Sequence, residues 1–193
     1  MNFLAHLYLS CQSEELMIGN FIADFIKNRE VSNYSAKIQE GIQLHRSIDH
    51  YTDNHPLVLQ GARRLHPAHG KYAAVVIDVY YDYLLANNWS KFSEESLDDF
   101  TAKTYKVLEK HLAVLPEKLR KVLPYWIEDN WLVKYGQESG LAFTFERMKN
   151  RVSKPEMLDQ APQSLMADLP SFEQEFVAFF PDVQQFVMEQ CDC

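Results

Sequence analysis

The sequence predicts an all-α, single-domain helical bundle, and three observations support this fold class. Apolar residues recur with the 3.6-residue period of an amphipathic helix along most of the chain, without convincing strand alternation. The 6 glycines and 8 prolines are too few for the many turns of an all-β fold. A length of 193 residues with 47% hydrophobic side chains is sufficient for one domain with a sizeable core.

The periodic segments, taken in order, predict nine helices. Their approximate ranges are 2–10, 14–28, 35–51, 56–66, 71–88, 96–112, 117–136, 141–150 and 171–190. Residues that favour turns separate them near 28–32, 53–56, 66–70, 87–93, 116 and 136–140. Ser93 and Ser171 are each followed by acidic residues, which is typical of a helix N-cap.

We assign residues 1–136 to a core that holds the candidate site and residues 137–193 to a C-terminal helical extension with an acidic tail. The stretch 152–170 contains three prolines, so we expect an irregular connection there. The last helix carries an apolar stripe that should dock it on the body of the protein. This stripe consists of Phe172, Phe176, Phe179, Phe180, Val183, Phe186 and Val187.

The charge distribution argues against bulk nucleic-acid binding. The net charge is −8, and no Lys or Arg follows Pro155, whereas eight acidic residues do. Residues 1–154 therefore carry 19 charges of each sign, and we expect no nucleic-acid partner. No run of about 18 apolar residues is present and the N-terminus lacks a basic leader, so we expect neither a membrane span nor a signal peptide.

The three cysteines are too few and too poorly placed for a disulfide framework. They are Cys11, Cys191 and Cys193. A reducing cytoplasm is the simplest location for such a chain. The C-terminal Cys-Asp-Cys is expected to be a frayed tail, with metal binding as the alternative.

The helix near 35–51 places polar groups where its period requires apolar ones. Its inward stripe runs through Ile38, Ile42, His45 and Asp49, which share one face. His45 and Asp49 lie at i and i+4, so their side chains can reach one point, as in helical metal motifs. The spacing therefore predicts a pair of metal ligands.

The helix near 71–88 holds two carboxylates in apolar surroundings. It is apolar on all sides, which is typical of a buried helix, and Asp78 and Asp82 are its only charged side chains after Lys71. A buried, unpaired carboxylate is costly, and two at i and i+4 repel each other. We expect a cation to compensate them, either a metal ion or an Arg or Lys of a neighbouring helix, and favour the metal.

Other candidate residues remain ambiguous from their pattern. His6 lies on an apolar face, where a hydrogen-bonded core histidine is the usual alternative to a ligand. Asp24 shares a polar face with Asn20 and Lys27, which solvent exposure explains equally well, and Asp53 fits a turn. These imidazole and carboxylate donors suit Mg²⁺ or Mn²⁺ and admit Fe²⁺ or Co²⁺. No G-x-S-x-G motif is present, so a nucleophilic triad is poorly supported. No glycine-rich phosphate-binding loop of the P-loop or Rossmann type is present either.

Several separate blocks of the sequence occur in the order found in one bacterial family. They are NFLAHLYL at 2–9, GNFIADF at 19–25, HRSIDHYTDN at 45–54, IDVYYDYLL at 77–85 with Trp89, and NWLVKY at 130–135. In these blocks the chain resembles the acyl carrier protein phosphodiesterases, also called holo-acyl-carrier-protein hydrolases. The resemblance spans most of the chain, from Asn2 to about Tyr135.

The resemblance implies an α-helical fold related to the HD-domain metal phosphohydrolases, with the departure that no adjacent His-Asp pair occurs here. It also implies hydrolysis of the phosphodiester that joins 4′-phosphopantetheine to a serine of holo-acyl carrier protein, and dependence on Mn²⁺. Carried over by motif, the active-site positions fall on His6, Asp24, His45, Asp49, Asp78 and Asp82.

On this basis we predict four metal ligands, namely Asp24, His45, Asp49 and Asp78. Three residues are predicted to act in catalysis, namely Asp24, His6 and Asp82, the last two by orienting the water or a ligand. Four basic residues are predicted to bind the phosphate or the acidic carrier protein, namely Arg46, Arg147, Lys149 and Arg151. Residues 118–121 form a second basic cluster.

Two other functions remain open from the sequence. One is a related phosphohydrolase that acts on a nucleotide or another small phosphate ester. The other is a non-catalytic helical interaction module whose buried carboxylates pair with arginines.

Overall fold

The computed structural model describes residues 1–191, which form eleven α-helices joined by short 3-10 turns, with no β-strand among them. The helices are α1 Phe3–Tyr8, α2 Glu14–Ile22, α3 Ala36–Asn54, α4 Pro56–His69, α5 Ala73–Asn87, α6 Leu97–Lys110, α7 Glu117–Glu128, α8 Trp131–Lys134, α9 Glu138–Lys149, α10 Ala161–Ala167 and α11 Leu169–Cys191. The predicted all-α class is confirmed, and one cluster of buried side chains forms the core. Within residues 1–191, no helix has both the length and the apolar character to cross a membrane.

Helices α2 and α3 cross at two glycines. A Cβ atom on Gly19 would lie 2.1 Å from the carbonyl oxygen of Ile38, and one on Gly41 would lie 2.3 Å from the carbonyl oxygen of Leu16. Neither position has room for a side chain, so the two backbones touch directly. This crossing brings α2 against the turn of α3 that leads to His45.

The end of α2 differs from the helix predicted over 14–28. The α-helix ends at Ile22, and Ala23–Phe25 form a 3-10 turn. Phe25 stacks on Phe3 of α1 with ring centroids 5.8 Å apart, a tertiary contact that periodicity does not register. Asn20, which the pattern assigned to a polar face, is fully buried, in contact with His6 of α1 and His45 of α3.

Both predicted N-caps are wrong. Ser96, not Ser93, caps α6 by accepting a hydrogen bond from the amide three residues later, and α11 begins at Leu169, before Ser171. Ser93 accepts instead from an amide two residues later, and Ser171 donates to Asp168. Serine makes such local contacts in turns as well as in caps, so the sequence pattern did not separate the two.

Helix α11 is docked on the body by its aromatic stripe and by ion pairs, among them a bidentate pair with Arg64. Four of its phenylalanines are at most 2% exposed, namely Phe172, Phe176, Phe179 and Phe180. Arg64 of α4 donates two hydrogen bonds to Glu175, at 2.6 and 2.8 Å, and its Nε lies 2.8 Å from Asp168. The C-terminal helix therefore shares the core of the preceding helices.

A disulfide bond joins Cys11 to Cys191, which corrects the expectation that the cysteines form no such framework. It links the connection between α1 and α2 to the last residue of α11, 180 positions later. Spacing could not reveal it, because α11 returns to α1 only in the folded chain, where Gln184 donates to the Tyr8 hydroxyl at 3.1 Å. Cysteine usage therefore gives no support to a reducing cytoplasm. Residues 192 and 193 of the predicted frayed tail lie outside the described residues.

Replacing Cys11 with Ser is expected to lower the free energy of unfolding of the oxidised protein by about 2–4 kcal/mol, because the bond restricts the unfolded chain. Urea unfolding of both proteins, with and without reductant, measures the effect. The reduced wild-type protein should unfold at the midpoint of Cys11→Ser. Identical midpoints for the two oxidised proteins would contradict this contribution.

Candidate metal centre

Two histidines and one aspartate converge where α1 meets α3. The rings of His6 on α1 and His45 on α3 are stacked, with centroids 3.9 Å apart. Asp49, one turn after His45, places Oδ1 3.1 Å from Nε2 of His6 and Oδ2 3.2 Å from Nε2 of His45. One ligand atom from each residue lies within 4.8 Å of the others, so this group is able to hold a metal ion.

Asp24 approaches the same group from the solvent side. The 3-10 turn Ala23–Phe25 holds its Oδ1 3.3 Å from Nε2 of His45, with 66% of the Asp24 side chain exposed. The side chains of His6 and His45 are only 3% and 6% exposed. Asp24 is therefore the part of the cluster most open to a ligand from solvent.

The Nε2 atom of His45 is buried and has no hydrogen-bond partner. Carboxylate oxygens of Asp24 and Asp49 lie 3.3 and 3.2 Å from it, but not in hydrogen-bond geometry. Buried polar atoms without a partner are rare in folded proteins. Because the lone pair of a neutral ring would face two carboxylates, this arrangement favours a cation, either a proton or a metal ion, among the three groups.

The two histidines have pKa values shifted in opposite directions. Burial lowers the pKa of His45, but Asp24 and Asp49 outweigh burial and raise this pKa to about 9. Burial and the charge of His45 lower the pKa of His6 to about 4. Burial would raise the pKa of Asp49, but its contacts with both histidines hold that pKa below its usual range. In the metal-free cluster at neutral pH, His45 therefore holds a proton that a metal ion can replace.

The α-ammonium group of Met1 lies between Asp49 and Asp78. Its nitrogen is 3.2 Å from Oδ1 of Asp49 and 3.1 Å from Oδ1 of Asp78. Burial lowers the pKa of this ammonium group, but the two carboxylates raise it to about 11. Asp78 thus has a cationic partner, and it does not belong to the group of potential ligands formed by His6, His45 and Asp49.

Asp82 is fully buried and holds the first turn of α1. Its carboxylate accepts hydrogen bonds from the amides of Leu4 and Ala5, at 2.9 and 3.1 Å. The start of a helix leaves such amides without intrahelical partners. Burial raises the pKa of Asp82 to about 7 against the opposite effect of the two amides. The carboxylate of Asp82 thus binds the backbone of α1, the helix that carries His6.

The four basic residues predicted to bind substrate lie in different surroundings. Arg46 is exposed and donates to Oδ1 of Asn28 at 2.7 Å. Lys149 forms ion pairs with two acidic neighbours, so its charge is largely neutralised. Arg147 is exposed in the last turn of α9, and Arg151 is exposed just after this helix ends at Lys149.

Sequence reasoning missed Asn20, whose side-chain oxygen lies 2.8 Å from Nδ1 of His6 and 3.2 Å from Nδ1 of His45. The pattern extends α2 to residue 28 and places Asn20 on a polar face with Asp24, which solvent exposure explains equally well. The adjacent Gly19 was the available signal, since a glycine inside a helix often marks a close approach of another backbone.

Two comparisons with known proteins identify the same family. The profile of the family described as acyl carrier protein phosphodiesterase matches residues 1–183. A relative from Photorhabdus laumondii with this name is 31% identical over 193 residues, which covers 100% of this chain and 96% of the relative. The chain belongs to the acyl carrier protein phosphodiesterase family. A second relative of that name, from Yersinia enterocolitica, is 31% identical over 182 residues, or 94% of each chain.

Membership in the acyl carrier protein phosphodiesterase family assigns the protein to a class of enzymes. The matched residues include the whole cluster formed by His6, Asp24, His45 and Asp49. No solved structure matches the chain, so its relation to the HD-domain hydrolases stays a prediction.

Proposed function

We propose that this protein is a metal-dependent hydrolase that removes 4′-phosphopantetheine from holo-acyl carrier protein and leaves the apo-carrier. The observation that carries the proposal is the convergence of His6, His45 and Asp49 on one point in a chain of this family. The relatives named above are acyl carrier protein phosphodiesterases, which supports the same substrate and bond.

The donor set fits a divalent cation. His45 offers a buried nitrogen without a hydrogen-bond partner, and the corresponding nitrogen of His6 lies beside the same carboxylate of Asp49. Imidazole nitrogen combined with carboxylate oxygen suits Mn²⁺, Fe²⁺ or Co²⁺ better than Mg²⁺, which prefers oxygen ligands. We propose Mn²⁺, held by these three residues. Such an ion, when bound, neutralises phosphate charge and lowers the pKa of water.

Asp24 is the proposed proton acceptor. Its contact with His45 lowers its pKa, so the carboxylate is ionised at neutral pH, and it is the most exposed group of the cluster. As the oxygen of a water molecule bonds to phosphorus, Asp24 takes the proton of that water. The bond between phosphorus and the carrier serine oxygen breaks, and this oxygen takes a proton from solvent. The products are the carrier serine and free phosphopantetheine.

An aromatic and basic surface on α7 and α9 is the proposed docking surface for the carrier. The guanidinium of Arg147 lies 5.6 Å from the ring of Trp126 and 5.7 Å from that of Phe143, which is 59% exposed. Trp126 contacts Phe3, and Phe3 stacks on Phe25, the residue that follows the proposed proton acceptor. Contacting rings thus connect this surface to the cluster. Because both proteins are acidic, attraction must come from a local basic surface of this kind.

Replacing Arg147 with Glu is expected to raise KM for holo-acyl carrier protein about tenfold with little change in kcat, because the charge contacts the carrier and not the reacting phosphate. Steady-state kinetics measure both constants. Arg63→Glu, at an exposed position on α4, makes the same change in net charge and is the control. An equal KM for the two variants would remove Arg147 from the docking surface.

Incubation with purified holo-acyl carrier protein and Mn²⁺, followed by intact-mass spectrometry, tests the proposed reaction. The carrier should lose the mass of the prosthetic group only when a divalent ion is present. Hydrolysis of small phosphate esters without loss of that group would instead favour a small-molecule phosphohydrolase. A protein that neither binds a divalent ion nor hydrolyses either substrate would favour an interaction module.

A further inference from the structure

Asn20 is fully buried behind both histidines of the candidate metal centre. Its side-chain oxygen is 2.8 Å from Nδ1 of His6 and 3.2 Å from Nδ1 of His45. Its backbone carbonyl oxygen lies 2.9 Å from Nδ1 of His45 as well. One residue therefore meets the inner nitrogen of both rings, and it meets them with oxygen atoms.

The orientation of the Asn20 amide follows from the contacts of its nitrogen. Nδ2 lies 2.7 Å from the backbone oxygen of His6 and 3.1 Å from the hydroxyl of Ser10. That hydroxyl already donates its hydrogen to the same backbone oxygen, at 2.7 Å, so it accepts from the amide. An inverted amide would set two carbonyl oxygens against each other. The side-chain oxygen of Asn20 therefore faces the two rings.

A carbonyl oxygen cannot donate, so each contact with Asn20 is a hydrogen bond only when Nδ1 carries a hydrogen. Nε2 of His45 makes no hydrogen bond, whereas Nε2 of His6 lies 3.1 Å from an acceptor, Oδ1 of Asp49. A neutral His6 has one hydrogen for two acceptors, and a cation bound at Nε2 leaves that hydrogen on Nδ1. Nε2 of His6 and Nε2 of His45 are the two atoms that lie beside the carboxylate of Asp49. The contacts with Asn20 thus direct both lone pairs to the point where the three residues converge.

We propose that Asn20 is a positioning residue that selects the Nδ1–H tautomer of His6 and His45 and thereby prepares both Nε2 atoms as metal ligands. The tautomer of His6 and the use of both tautomers by a metal rest on the proposed function, whereas the tautomer of His45 requires no bound ion. Histidine ligands of metals usually donate their second N–H to a carbonyl or carboxylate, which fixes the ring. Here one buried amide serves two rings.

The contact between α2 and α3 explains how one residue reaches both rings. Gly19, adjacent to Asn20, and Gly41, one turn before His45, let the two backbones touch. Asn is suited to this position because its amide accepts from the rings and also donates to the backbone of α1. Asp would keep the acceptor and lose the donor, and Leu would lose both.

Nitrogen-15 correlation spectra of the imidazole rings test the tautomer of His45 in the metal-free protein, without use of activity. The spectra are recorded at increasing pH until the His45 ring is neutral. This ring of the wild-type protein should then carry its hydrogen on Nδ1, beside the oxygens of Asn20. A hydrogen on Nε2 of His45 would overturn the inference. This spectrum needs no variant, so it decides the question even where a substitution prevents folding.

Titration with Mn²⁺, followed by the electron paramagnetic resonance of the free ion, tests the positioning role. Asn20→Leu should weaken binding about 10–100-fold, the usual cost of losing such a partner, whereas Asn20→Asp, which keeps an acceptor beside the rings, should bind more tightly than Asn20→Leu. Ser10→Ala removes a contact of the same amide away from the rings, so it is the matched control and should leave binding unchanged. Wild-type affinity in Asn20→Leu would contradict the positioning role. An Nδ1–H tautomer of His45 in a wild-type protein that binds no Mn²⁺ would support tautomer selection by Asn20 and would defeat the proposed function alone.

Discussion

Replacing Asp49 with Asn is expected to lower the rate of carrier hydrolysis by more than about 100-fold. This loss is larger than the roughly 10–100-fold loss that follows removal of a residue that only supports a metal ligand, because Asp49 is itself a proposed ligand. Asp49 contacts Nε2 of both His6 and His45. The substitution removes the negative charge of this side chain but keeps its shape. The amide of Asn can also donate to a ring nitrogen and so occupy a lone pair that a metal needs. Hydrolysis rates and Mn²⁺ titration of the purified variant measure the loss.

Asp53→Asn is the matched control for this substitution. Asp53 lies one turn later on α3, is exposed, and does not belong to the group of potential ligands. Its replacement should leave hydrolysis and Mn²⁺ binding near wild-type values. Circular dichroism of both variants separates loss of the site from loss of the fold. A folded Asp49→Asn protein with wild-type activity would contradict the assignment.

Replacing Gly41 with Ala is expected to lower the free energy of unfolding by about 3 kcal/mol or more. The new Cβ would lie 2.3 Å from the carbonyl oxygen of Leu16 and 2.9 Å from Cα of Gly19, so α2 and α3 must separate. Their separation would also move Asn20 away from His45, so Mn²⁺ affinity should fall. Urea unfolding and Mn²⁺ titration measure the two effects.

Gly61→Ala is the control for a glycine with a different neighbour. A Cβ on Gly61 would lie 2.6 Å from Cδ1 of Ile77, the mobile end of a side chain. The gain in helix propensity, up to about 1 kcal/mol, offsets part of the cost of moving that side chain. We therefore expect a much smaller loss of stability. Equal losses for Gly41→Ala and Gly61→Ala would contradict the special role of the α2–α3 crossing.

The helical periodicity predicts the fold class well but not the positions where tertiary contacts break a helix. The helix predicted over 117–136 is divided between α7 and α8, at Asn130. Asn130 adopts a left-handed backbone with φ of 46°, and its side chain accepts a hydrogen bond from the Tyr105 hydroxyl at 2.8 Å. That hydroxyl also accepts from the amide of Leu132. Because Tyr105 lies 25 residues earlier in the sequence, the local pattern around Asn130 cannot indicate this contact.

The i and i+4 spacing places His45 and Asp49 together because a helix fixes that distance regardless of the rest of the fold. The reasoning from buried carboxylates was less secure. Asp78 does have a cation beside it, the α-ammonium of Met1, which the sequence pattern did not indicate. Asp82 is paired with amide N–H groups of α1. Charge alone requires a compensating group, but only the folded chain shows which group supplies it.

Mn²⁺ titration of the metal-free protein at a series of pH values tests most directly whether His6, His45 and Asp49 form a metal site. Because the metal must replace the proton of His45, its apparent affinity should rise about tenfold per pH unit up to the pKa of His45, about 9, and then level off. Absence of Mn²⁺ binding, or an affinity that does not change between pH 7 and 9, would contradict the site.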